Sequence, residues 1–413
     1  MKDSSQDLEM ALVVGEASGD LLASLVIPEL QKRWPHLRLY GIGGERMQAL
    51  GFEAWWPAKE LAVRGYVEVL RHYRRIVGIR DELTRQCLAK PPRLFLGVDA
   101  PDFNLTLAKS LKTAGVPAVQ FVCPSVWAWR AHRIQTMAQS VDHVLCLFPF
   151  EPELLEAHGI AATYVGHPLA GTIPLEVDQQ GARLALGLDE KLASSTSQAP
   201  LWVALMPGSR QSEIDHLGER FLKAAQLMRS QNPRVHFLLP TLEAHRERLK
   251  GLVDQLGLSA FCRVLVGQSH LALAACDVSL IASGTATLEA ALFKRPMVIA
   301  YHMNWLSWLI MKRQKLQPWV GLPNILCQDF VVPELLQSAA TPEALAQETL
   351  AWFDDPQRVG QYQSRMRALH ETLMRDTPAL CADVLGRLMG QALTKATKSN
   401  TDSEPIDHPG HAG

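Results

Sequence analysis

The stretch VSLIASGTATLEAAL, residues 278–292, decides the fold class. A short apolar run ends at the small residues Ser283 and Gly284, and a helix-forming run follows directly. An apolar strand that passes through a small-residue turn into a helix is typical of a parallel sheet covered by helices. The first N–H groups of such a helix lack partners within the helix and favour an anion. The stretch therefore predicts a site for a diphosphate.

Glu289 lies one helical turn further along the same stretch. At that spacing its carboxylate can reach the ribose hydroxyls of a nucleotide whose diphosphate lies on the first turn. The sequence therefore predicts a nucleoside-diphosphate site. Its predicted members in this stretch are Ser283, Gly284, Thr285, Thr287 and Glu289.

The same alternation of apolar runs and helix-length segments occurs in two blocks of the chain. Runs that are apolar on both faces are typical of strands in parallel sheets. The pattern predicts an α/β protein with two Rossmann-like, doubly wound domains facing a cleft. Because open α/β sheets bind ligands at the carboxyl ends of their strands, we expect the active site in that cleft. The runs are 10–14, 94–98, 118–122 and 144–147 in the first block, and 201–206, 235–239, 262–266, 278–281 and 297–300 in the second.

The polar segment at 189–200 is typical of a linker, and the polar C-terminal end is too poor in apolar residues to order itself. We predict an N-terminal acceptor domain over 1–180 and a C-terminal nucleotide-sugar domain over 181–345. Helices over 346–395 are expected to pack back across the domains. A disordered tail is predicted over 396–413.

Composition excludes several function classes. The 413 residues carry a net charge of −1, which provides no basic field for nucleic acid. The seven cysteines are scattered and never spaced C-x-x-C, so neither a disulfide framework nor a zinc site is expected, and a reducing cytoplasm fits. The polar, acidic start does not resemble a secretion signal. Apolar runs shorter than about 20 residues predict that any membrane association is peripheral.

The motif GVDAPDFN, residues 97–104, supplies the candidate catalytic base. Asp99 comes directly after the apolar run 94–98, at the ligand edge of the predicted sheet, whereas Pro101 is placed to open the next helix. Asp102 is the second carboxylate of the motif. The alternative interpretation is that Asp99 and Asp102 only stabilise the start of this helix, and we assign that role to Asp102.

The motif GEASGD, residues 15–20, follows the first predicted strand at the same edge. Its small residues allow a substrate to approach the backbone closely. Glu16 and Ser18 are therefore candidate catalytic residues beside Asp99. The residues alone do not exclude Glu16 or Asp20 as the base.

Two further post-strand loops are candidates. The loop PSVWAWR, residues 124–130, places two tryptophans and an arginine where they can line a pocket for a sugar or a lipid, although core packing is the commoner role of a Trp pair. The turn PGSR, residues 207–210, places Arg210 at a helix start, where a guanidinium adds paired donors for phosphate. Two basic amphipathic segments, 67–80 and 305–315, are candidates for membrane contact.

Several motifs of other chemistries are absent from the sequence. An Asp-x-Asp pair for a divalent ion on a nucleotide sugar is missing, so no metal is expected. The chain also lacks a phosphate loop of the GxxxxGK[ST] type and a GxSxG nucleophile elbow. The glycines at 41–44 do not complete a dinucleotide fingerprint, which counts against an NAD-dependent oxidoreductase.

Together and in order, these motifs resemble the lipid-A-disaccharide synthases, inverting glycosyltransferases with the two-Rossmann architecture called GT-B. The resemblance covers residues 11 to about 330. It is carried by 15–20, 97–104, 124–129, GHPL at 166–169, 207–210, 283–289 and LPN at 322–324. Two positions depart from the family pattern, Gly171 and His302, and neither is among the candidate site residues.

The resemblance implies a reaction and its participants. The 6-hydroxyl of 2,3-diacylglucosamine 1-phosphate attacks the anomeric carbon of UDP-2,3-diacylglucosamine, which gives a β-1,6 disaccharide phosphate and UDP in lipid A biosynthesis. Asp99 would be the base, and Arg210, Glu289 and Asn324 would serve the UDP. No cofactor is expected. The enzyme would lie on the cytoplasmic face of the inner membrane, and a homodimer is one candidate state.

Two alternatives are left open. A UDP-N-acetylglucosamine 2-epimerase or another GT-B transferase would share the fold and the nucleotide-sugar site. A non-catalytic nucleotide-binding scaffold at the membrane would keep its function when Asp99 is replaced.

Overall fold

The computed structural model describes residues 8–61, 66–127, 133–188, 199–303 and 316–401, the side chains of 66–72 and 392–401 excepted. Several sequence predictions therefore lie outside the described residues. They are the linker at 189–198, Trp129 and Arg130 of the tryptophan loop 124–130, the basic segment 305–315, the side chains of 67–72 in the basic segment 67–80, and the tail beyond 401.

The chain divides into two compact units. Unit 1 comprises Met1–Pro168 and Arg375–Gly413, and unit 2 comprises Leu169–Met374. Each unit contains one sheet of parallel strands with helices between successive strands. The predicted α/β class with two Rossmann-like domains is confirmed.

The sheet of unit 1 has seven strands. They are β1 (Glu9–Val14), β2 (Arg38–Gly43), β3 (Glu53–Pro57), β4 (Leu94–Val98), β5 (Ala118–Phe121), β6 (His143–Cys146) and β7 (Ala162–Tyr164). Their spatial order is β3-β2-β1-β4-β5-β6-β7, and β1 pairs with β4 from Met10 opposite Leu94 to Val14 opposite Val98. The strand order reverses direction between β1 and β4, which is where open α/β sheets bind ligands.

The helices of unit 1, numbered along the whole chain, include the last helix of the protein. They are α1 (Ala17–Arg33), α2 (Glu45–Gln48), α3 (Tyr66–Ala89), α4 (Pro101–Thr113), α5 (Arg133–Ser140), α6 (Glu151–Glu156) and α17 (Thr377–Thr401). Buried residues of α17, among them Cys381 and Leu385, share one apolar core with Val26 and Leu30 of α1. This burial stabilises the position of α17 in unit 1.

The sheet of unit 2 has six strands in the order β10-β9-β8-β11-β12-β13. They are β8 (Leu201–Met206), β9 (Val235–Thr241), β10 (Cys262–Val266), β11 (Val278–Ala282), β12 (Met297–Tyr301) and β13 (Glu334–Leu336). The order reverses between β8 and β11, so the turns after these two strands flank the corresponding switch point.

Among the described residues, the helices of unit 2 cover its sheet and include short single turns. They are α7 (Pro168–Thr172), α8 (Gln179–Ala185), α9 (Gln211–Glu213), α10 (Glu219–Gln231), α11 (Arg246–Gln255), α12 (Ser269–Ala275), α13 (Thr285–Leu292), α14 (Leu322–Cys327), α15 (Pro342–Asp354) and α16 (Pro356–Leu373). A π-helical turn, Ile214–Gly218, joins α9 to α10. The 3₁₀ turns in the two units are Ala58–Glu60, Glu243–His245 and Gln337–Ala339.

Sequence determines these elements in a direct way. Every residue of β1, β4 and β11 is buried, as expected for central strands covered on both faces. Side-chain caps fix the starts of α15 and α16, where Thr341 accepts the N–H of Ala344 at 3.2 Å and Asp355 accepts the N–H of Arg358 at 2.9 Å.

All seven cysteines are free thiols. Among the described residues, no helix combines the length and the apolar character that crossing a membrane would need.

Candidate active site

The switch point of unit 1 brings Asp99 and Glu16 together. Gly15 approaches the turn after β4 so closely that a Cβ on it would lie 2.5 Å from the Cβ of Ala100. Burial raises the pKa of the half-buried Asp99 carboxyl above its ordinary value, the Ala100 N–H opposes the rise, and the negative charge of Glu16 adds to it. A carboxylate with a raised pKa is a stronger proton acceptor than an exposed one, which suits a general base.

The backbone that carries Asp99 is strained. Asp99 has φ = 53° and Ala100 has φ = 40°, so two consecutive non-glycine residues adopt the left-handed region. Such residues cost on the order of 1–3 kcal/mol each and cluster at functional sites. Ala100 is the N-cap of α4, and Pro101 occupies the first helical position as predicted. The strain is therefore localised at the residue that presents the candidate base.

The other candidates of unit 1 lie near helix starts. Glu16 is the N-cap of α1, and Ser18 is exposed in the first turn of the same helix. Asp102 lies in the first turn of α4, where its side chain is 82% exposed and pairs with Arg133 at 2.5 Å. This exposed ion pair fits the helix-start role assigned to Asp102 from the sequence.

Asp20 has a structural role. Its buried carboxylate accepts the N–H groups of Gly44, Arg46 and Met47 at 3.1–3.2 Å, which satisfies free donors at the start of α2. The three bonds occupy the carboxylate oxygens that a substrate hydroxyl would need. These bonds favour Asp99 or Glu16 over Asp20 as the base.

Trp127 of the tryptophan loop belongs to an aromatic cluster at the carboxyl edge of the unit 1 sheet. Its indole N–H donates to the buried Glu151 at 2.9 Å, and its ring contacts Phe148 and Phe150 edge to face. Burial raises the pKa of Glu151 to about 7. His167 stacks on Phe148 in the same cluster. Glu151 has no sequence signal of its own, because its role depends on this three-dimensional contact.

In unit 2 the turns after β8, β9, β10 and β11 surround a cavity of about 380 Å³. That volume lies in the range of small-molecule sites. Five of the predicted nucleotide-binding residues line it, namely Arg210, Ser283, Gly284, Thr285 and Glu289. The structure therefore brings two separate sequence motifs to one site.

Two other predicted residues, Thr287 and Asn324, do not line this cavity. Thr287 is fully buried, and its hydroxyl donates to the carbonyl of Gly284 at 2.8 Å at the start of α13. Asn324 is also fully buried; its Nδ2 donates to the Val332 carbonyl and to Glu334 Oε1, both at 2.9 Å. In this structure both side chains stabilise the backbone around the site.

The turn after β8 differs from the sequence expectation. Its Ser209 and Arg210 N–H groups donate to Oε2 of Glu213 at 2.9 and 3.1 Å, so an internal carboxylate occupies the backbone donors expected for phosphate. Gly208, with φ = 117°, permits this arrangement, because a Cβ there would lie 2.3 Å from Glu213 Oε2. The Arg210 side chain remains 64% exposed and lines the cavity. Phosphate binding at this turn would therefore depend on the guanidinium.

Glu213 was missed in the sequence although a signal was present. A carboxylate three residues after a helix N-cap is one half of the capping-box pattern, and Glu213 accepts the N–H of the N-cap residue Arg210 in that way. A further group of lining residues was missed because these residues lie at the ends of β9 and β10 without a motif of their own. They include Thr241, Leu242, Gln268 and Ser269.

Glu289 lines the cavity and has one described ionic partner, His270, whose Nε2 lies 3.7 Å from Oε2 of Glu289. The contact with Glu289 raises the pKa of His270, although partial burial opposes the rise. Glu289 is thus oriented at the cavity wall by a titratable neighbour.

The sequence profile of a family described as lipid-A-disaccharide synthetase matches residues 10–380. The chain belongs to the lipid-A-disaccharide synthase family. It is 54% identical over 390 residues to the lipid-A-disaccharide synthase of Albidiferax ferrireducens, covering 93% of this chain and 98% of that protein. It is also 50% identical over 384 residues to the enzyme of that name from Burkholderia thailandensis, covering 92% and 97%.

Solved structures share the fold of this lipid-A-disaccharide synthase family member at low sequence identity. A putative UDP-N-acetylglucosamine 2-epimerase from Listeria monocytogenes has a TM-score of 0.57 at 9% identity, covering 96% of this chain and 98% of that chain. A glycosyltransferase from Rickettsia africae has a TM-score of 0.55 at 12% identity, covering 92% and 98%. At such identities the likeness shows the fold alone.

The family match confirms the resemblance found in the sequence and the assignment as a glycosyltransferase of lipid A disaccharide synthesis. It does not favour the epimerase alternative, because relatives at 50–54% identity are lipid-A-disaccharide synthases whereas the likeness to the Listeria monocytogenes epimerase structure is at 9% identity.

Proposed function

We propose that the protein joins two acylated glucosamine units. The 6-hydroxyl of 2,3-diacylglucosamine 1-phosphate attacks the anomeric carbon of UDP-2,3-diacylglucosamine and gives the β-1,6 disaccharide 1-phosphate and UDP. The observation that carries the proposal is the family match over residues 10–380, a range that contains both Asp99 and the unit 2 cavity.

In this reaction Asp99 acts as the general base. The bond from the acceptor O6 to the anomeric carbon forms while the bond from that carbon to the diphosphate oxygen breaks, and the electron pair leaves with UDP. Asp99 takes the proton of the attacking hydroxyl. Its burial and raised pKa support this role, as does the neighbouring Glu16, whose charge favours protonation of Asp99 during the step.

The unit 2 cavity holds the UDP portion of the donor. The N–H groups at the start of α13 and the guanidinium of Arg210 stabilise the negative charge that develops on the diphosphate. Glu289 accepts hydrogen bonds from the ribose hydroxyls. Thr287 and Asn324 contribute to UDP binding by holding the backbone of the site. Because these groups supply positive charge and donors, the transfer requires no metal ion.

One assay tests the reaction. The purified protein is incubated with both acylated sugars in the presence of excess chelator, and the disaccharide phosphate and UDP are measured by mass spectrometry. We expect equal amounts of both products. UDP release without disaccharide, or strict dependence on an added divalent ion, would contradict the proposal.

A parallel incubation addresses the epimerase alternative. With UDP-N-acetylglucosamine as the sole substrate, we expect neither epimerisation nor UDP release. Formation of the C2 epimer would favour that alternative over the transferase.

We further propose that the enzyme acts at the cytoplasmic surface of the inner membrane. Acylated substrates reside in a lipid layer, and the side chains of Leu316 and Phe330, 57% and 58% exposed, provide apolar surface in unit 2. Co-sedimentation with vesicles containing anionic phospholipid tests this location, and absence of the protein from the vesicle pellet would contradict it. The homodimer stays a prediction, which sedimentation velocity of the purified protein checks.

A further inference from the structure

Two buried side-chain amides converge on the backbone of the candidate base. Nδ2 of Asn104 lies 2.8 Å from the main-chain oxygen of Asp99, and Nε2 of Gln120 lies 2.9 Å from the same oxygen. Asn104 is 0% exposed and Gln120 is 1% exposed. A carbonyl oxygen has two lone pairs, so these two donors can satisfy it completely.

The donors come from separate elements. Asn104 lies in the first turn of α4, and Gln120 lies in β5, which pairs with β4. Gly97 in β4 makes the convergence possible: a Cβ there would lie 2.8 Å from Cβ of Asn104 and 3.0 Å from Oε1 of Gln120. A side chain at position 97 would therefore displace one or both amides.

The Gln120 amide also contacts the carbonyl of a second strained residue at the same edge of the sheet. Nε2 of Gln120 lies 3.4 Å from the carbonyl oxygen of Val122, a β-branched residue with φ = 75°. Left-handed backbone is a genuine outlier for a β-branched residue. Gln120 thus connects the strained turn after β4 to the strained residue after β5.

We propose that Asn104 and Gln120 are positioning residues for the Asp99 carboxylate. By fixing the carbonyl of Asp99, they hold the left-handed turn at Asp99 and Ala100 and keep the carboxylate half-buried beside Glu16. The inference rests on the proposed role of Asp99 as the base and deepens it. Without these bonds the strained turn relaxes toward ordinary backbone geometry, and the carboxylate moves toward solvent.

The experiment uses the full-length protein with Gln120→Met and Asn104→Leu, which preserve side-chain size and remove the donors. We expect kcat to fall about 10-fold in each variant and about 100-fold in the double variant, because small displacements of a catalytic group have effects of this order. The KM for the UDP-sugar and the affinity for UDP stay within about two-fold, since the UDP cavity of unit 2 contains neither residue.

A pH profile separates positioning from simple loss of stability. If the carboxylate moves toward solvent, its pKa falls, and the acidic limb of the kcat/KM profile shifts to lower pH. Thr377→Val is the matched control, because the buried Thr377 hydroxyl donates to the carbonyl of Val165 at 2.8 Å within the same unit. This control is expected to lower the unfolding midpoint and to leave kcat and the pH profile unchanged.

Two outcomes overturn the inference: amide variants with unchanged kcat, or variants whose kcat falls while the acidic limb stays in place. If Gln120→Met does not fold, Gln120→Leu takes its place, since it is also uncharged and has no amide donor, and the same shift is expected. Asp99→Asn separates the two proposals. If Asp99→Asn is active, Asp99 is not the base. If Asp99→Asn is inactive while the Asn104 and Gln120 variants are fully active, only the positioning role is excluded.

Discussion

The turn after β4 and the turn after β11 occupy equivalent positions, each beside the switch point of a parallel sheet, and are built in opposite ways. The β4 turn places the non-glycine residues Asp99 and Ala100 in left-handed backbone and anchors them with buried amides. The β11 turn passes through Gly284, which is exposed and has open space around its Cβ position.

The difference fits the two tasks proposed for these turns. A base must be held in one orientation, so strain and buried hydrogen bonds at the β4 turn are tolerated. A diphosphate site needs accessible N–H groups, so the β11 turn leaves its backbone open at a helix start. Both turns follow fully buried strands, which supply the rigid support.

Replacing Asp99, the proposed base, tests the β4 turn most directly. In Asp99→Asn we expect turnover to fall by about 10²–10⁴-fold, the range for loss of a general base, while UDP affinity is unchanged. Because burial raises the pKa of Asp99, its ionised form destabilises the fold at neutral pH, and the variant is expected to unfold at a higher temperature. Product formation and thermal unfolding measure the two effects.

Asp102→Asn is the control for that experiment. Asp102 lies three residues later in the same motif, but its side chain is 82% exposed. We expect turnover close to that of the unaltered protein. Equal losses in both variants would argue against a specific role for Asp99.

The second test concerns the charge supplied to the unit 2 cavity. Removing the guanidinium in Arg210→Ala is expected to weaken UDP binding by about 10- to 100-fold, since hydrogen bonds to charged groups contribute about 1.5–3 kcal/mol. Arg248→Ala is the matched control, because Arg248 is an exposed arginine of the same unit that pairs with Asp215 away from the cavity lining. Calorimetric titration with UDP measures both, and equal affinities would exclude Arg210 from the site.

The sequence predicted nine of the described strands and missed four, three of which, β3, β7 and β13, lie at sheet edges. All nine predicted runs are strands, because each is apolar along nearly its whole length. The missed strands β2, β3, β7 and β13 carry other signals: β2 contains two glycines, β3 is EAWWP, and β7 and β13 have three residues each. Short or interrupted strands depend on pairing with a neighbour, which periodicity does not reveal.

The candidate site was predictable where it followed a motif and unpredictable where it depended on side-chain direction. In α13, Thr285 and Glu289 are four residues apart and both face the cavity, whereas Thr287, two residues from each, is buried on another face. Glu213 and Gln120 act through hydrogen bonds to the backbone of other residues. The partner of Gln120 could not be assigned before the turns were placed in three dimensions, whereas the capping-box spacing pointed to the partner of Glu213.

A smaller effect is expected from the Gly208 turn. In Gly208→Ala, a Cβ at φ = 117° meets Glu213, so the carboxylate leaves the Ser209 and Arg210 amides and loses its 3.5 Å contact with the Arg210 guanidinium. We expect UDP affinity to fall about 10-fold, the equivalent of roughly 1.4 kcal/mol. Gly257→Ala is the control, since Gly257 has φ = 69° and open space around its Cβ position. Gly257→Ala should lose stability through backbone strain and keep its UDP affinity. Equal losses of UDP affinity in the two variants would show that the effect of Gly208→Ala comes from backbone strain and not from Glu213.

The smallest expected effect is on the free energy of unfolding and concerns the pair between His270 and Glu289 at the cavity wall. Because the pair raises the pKa of His270, its stabilisation is fully present below the unfolded pKa, about 6.5, and is lost as pH rises through the folded pKa. The side chain of His270 is 49% exposed, so His270→Gln should lower the free energy of unfolding by about 0.2–1 kcal/mol at pH 5.5 and by close to zero at pH 9. Urea denaturation at the two pH values measures the difference. A loss that is equal at both would show that packing of His270 against Phe293, rather than its charge, stabilises this wall of the cavity.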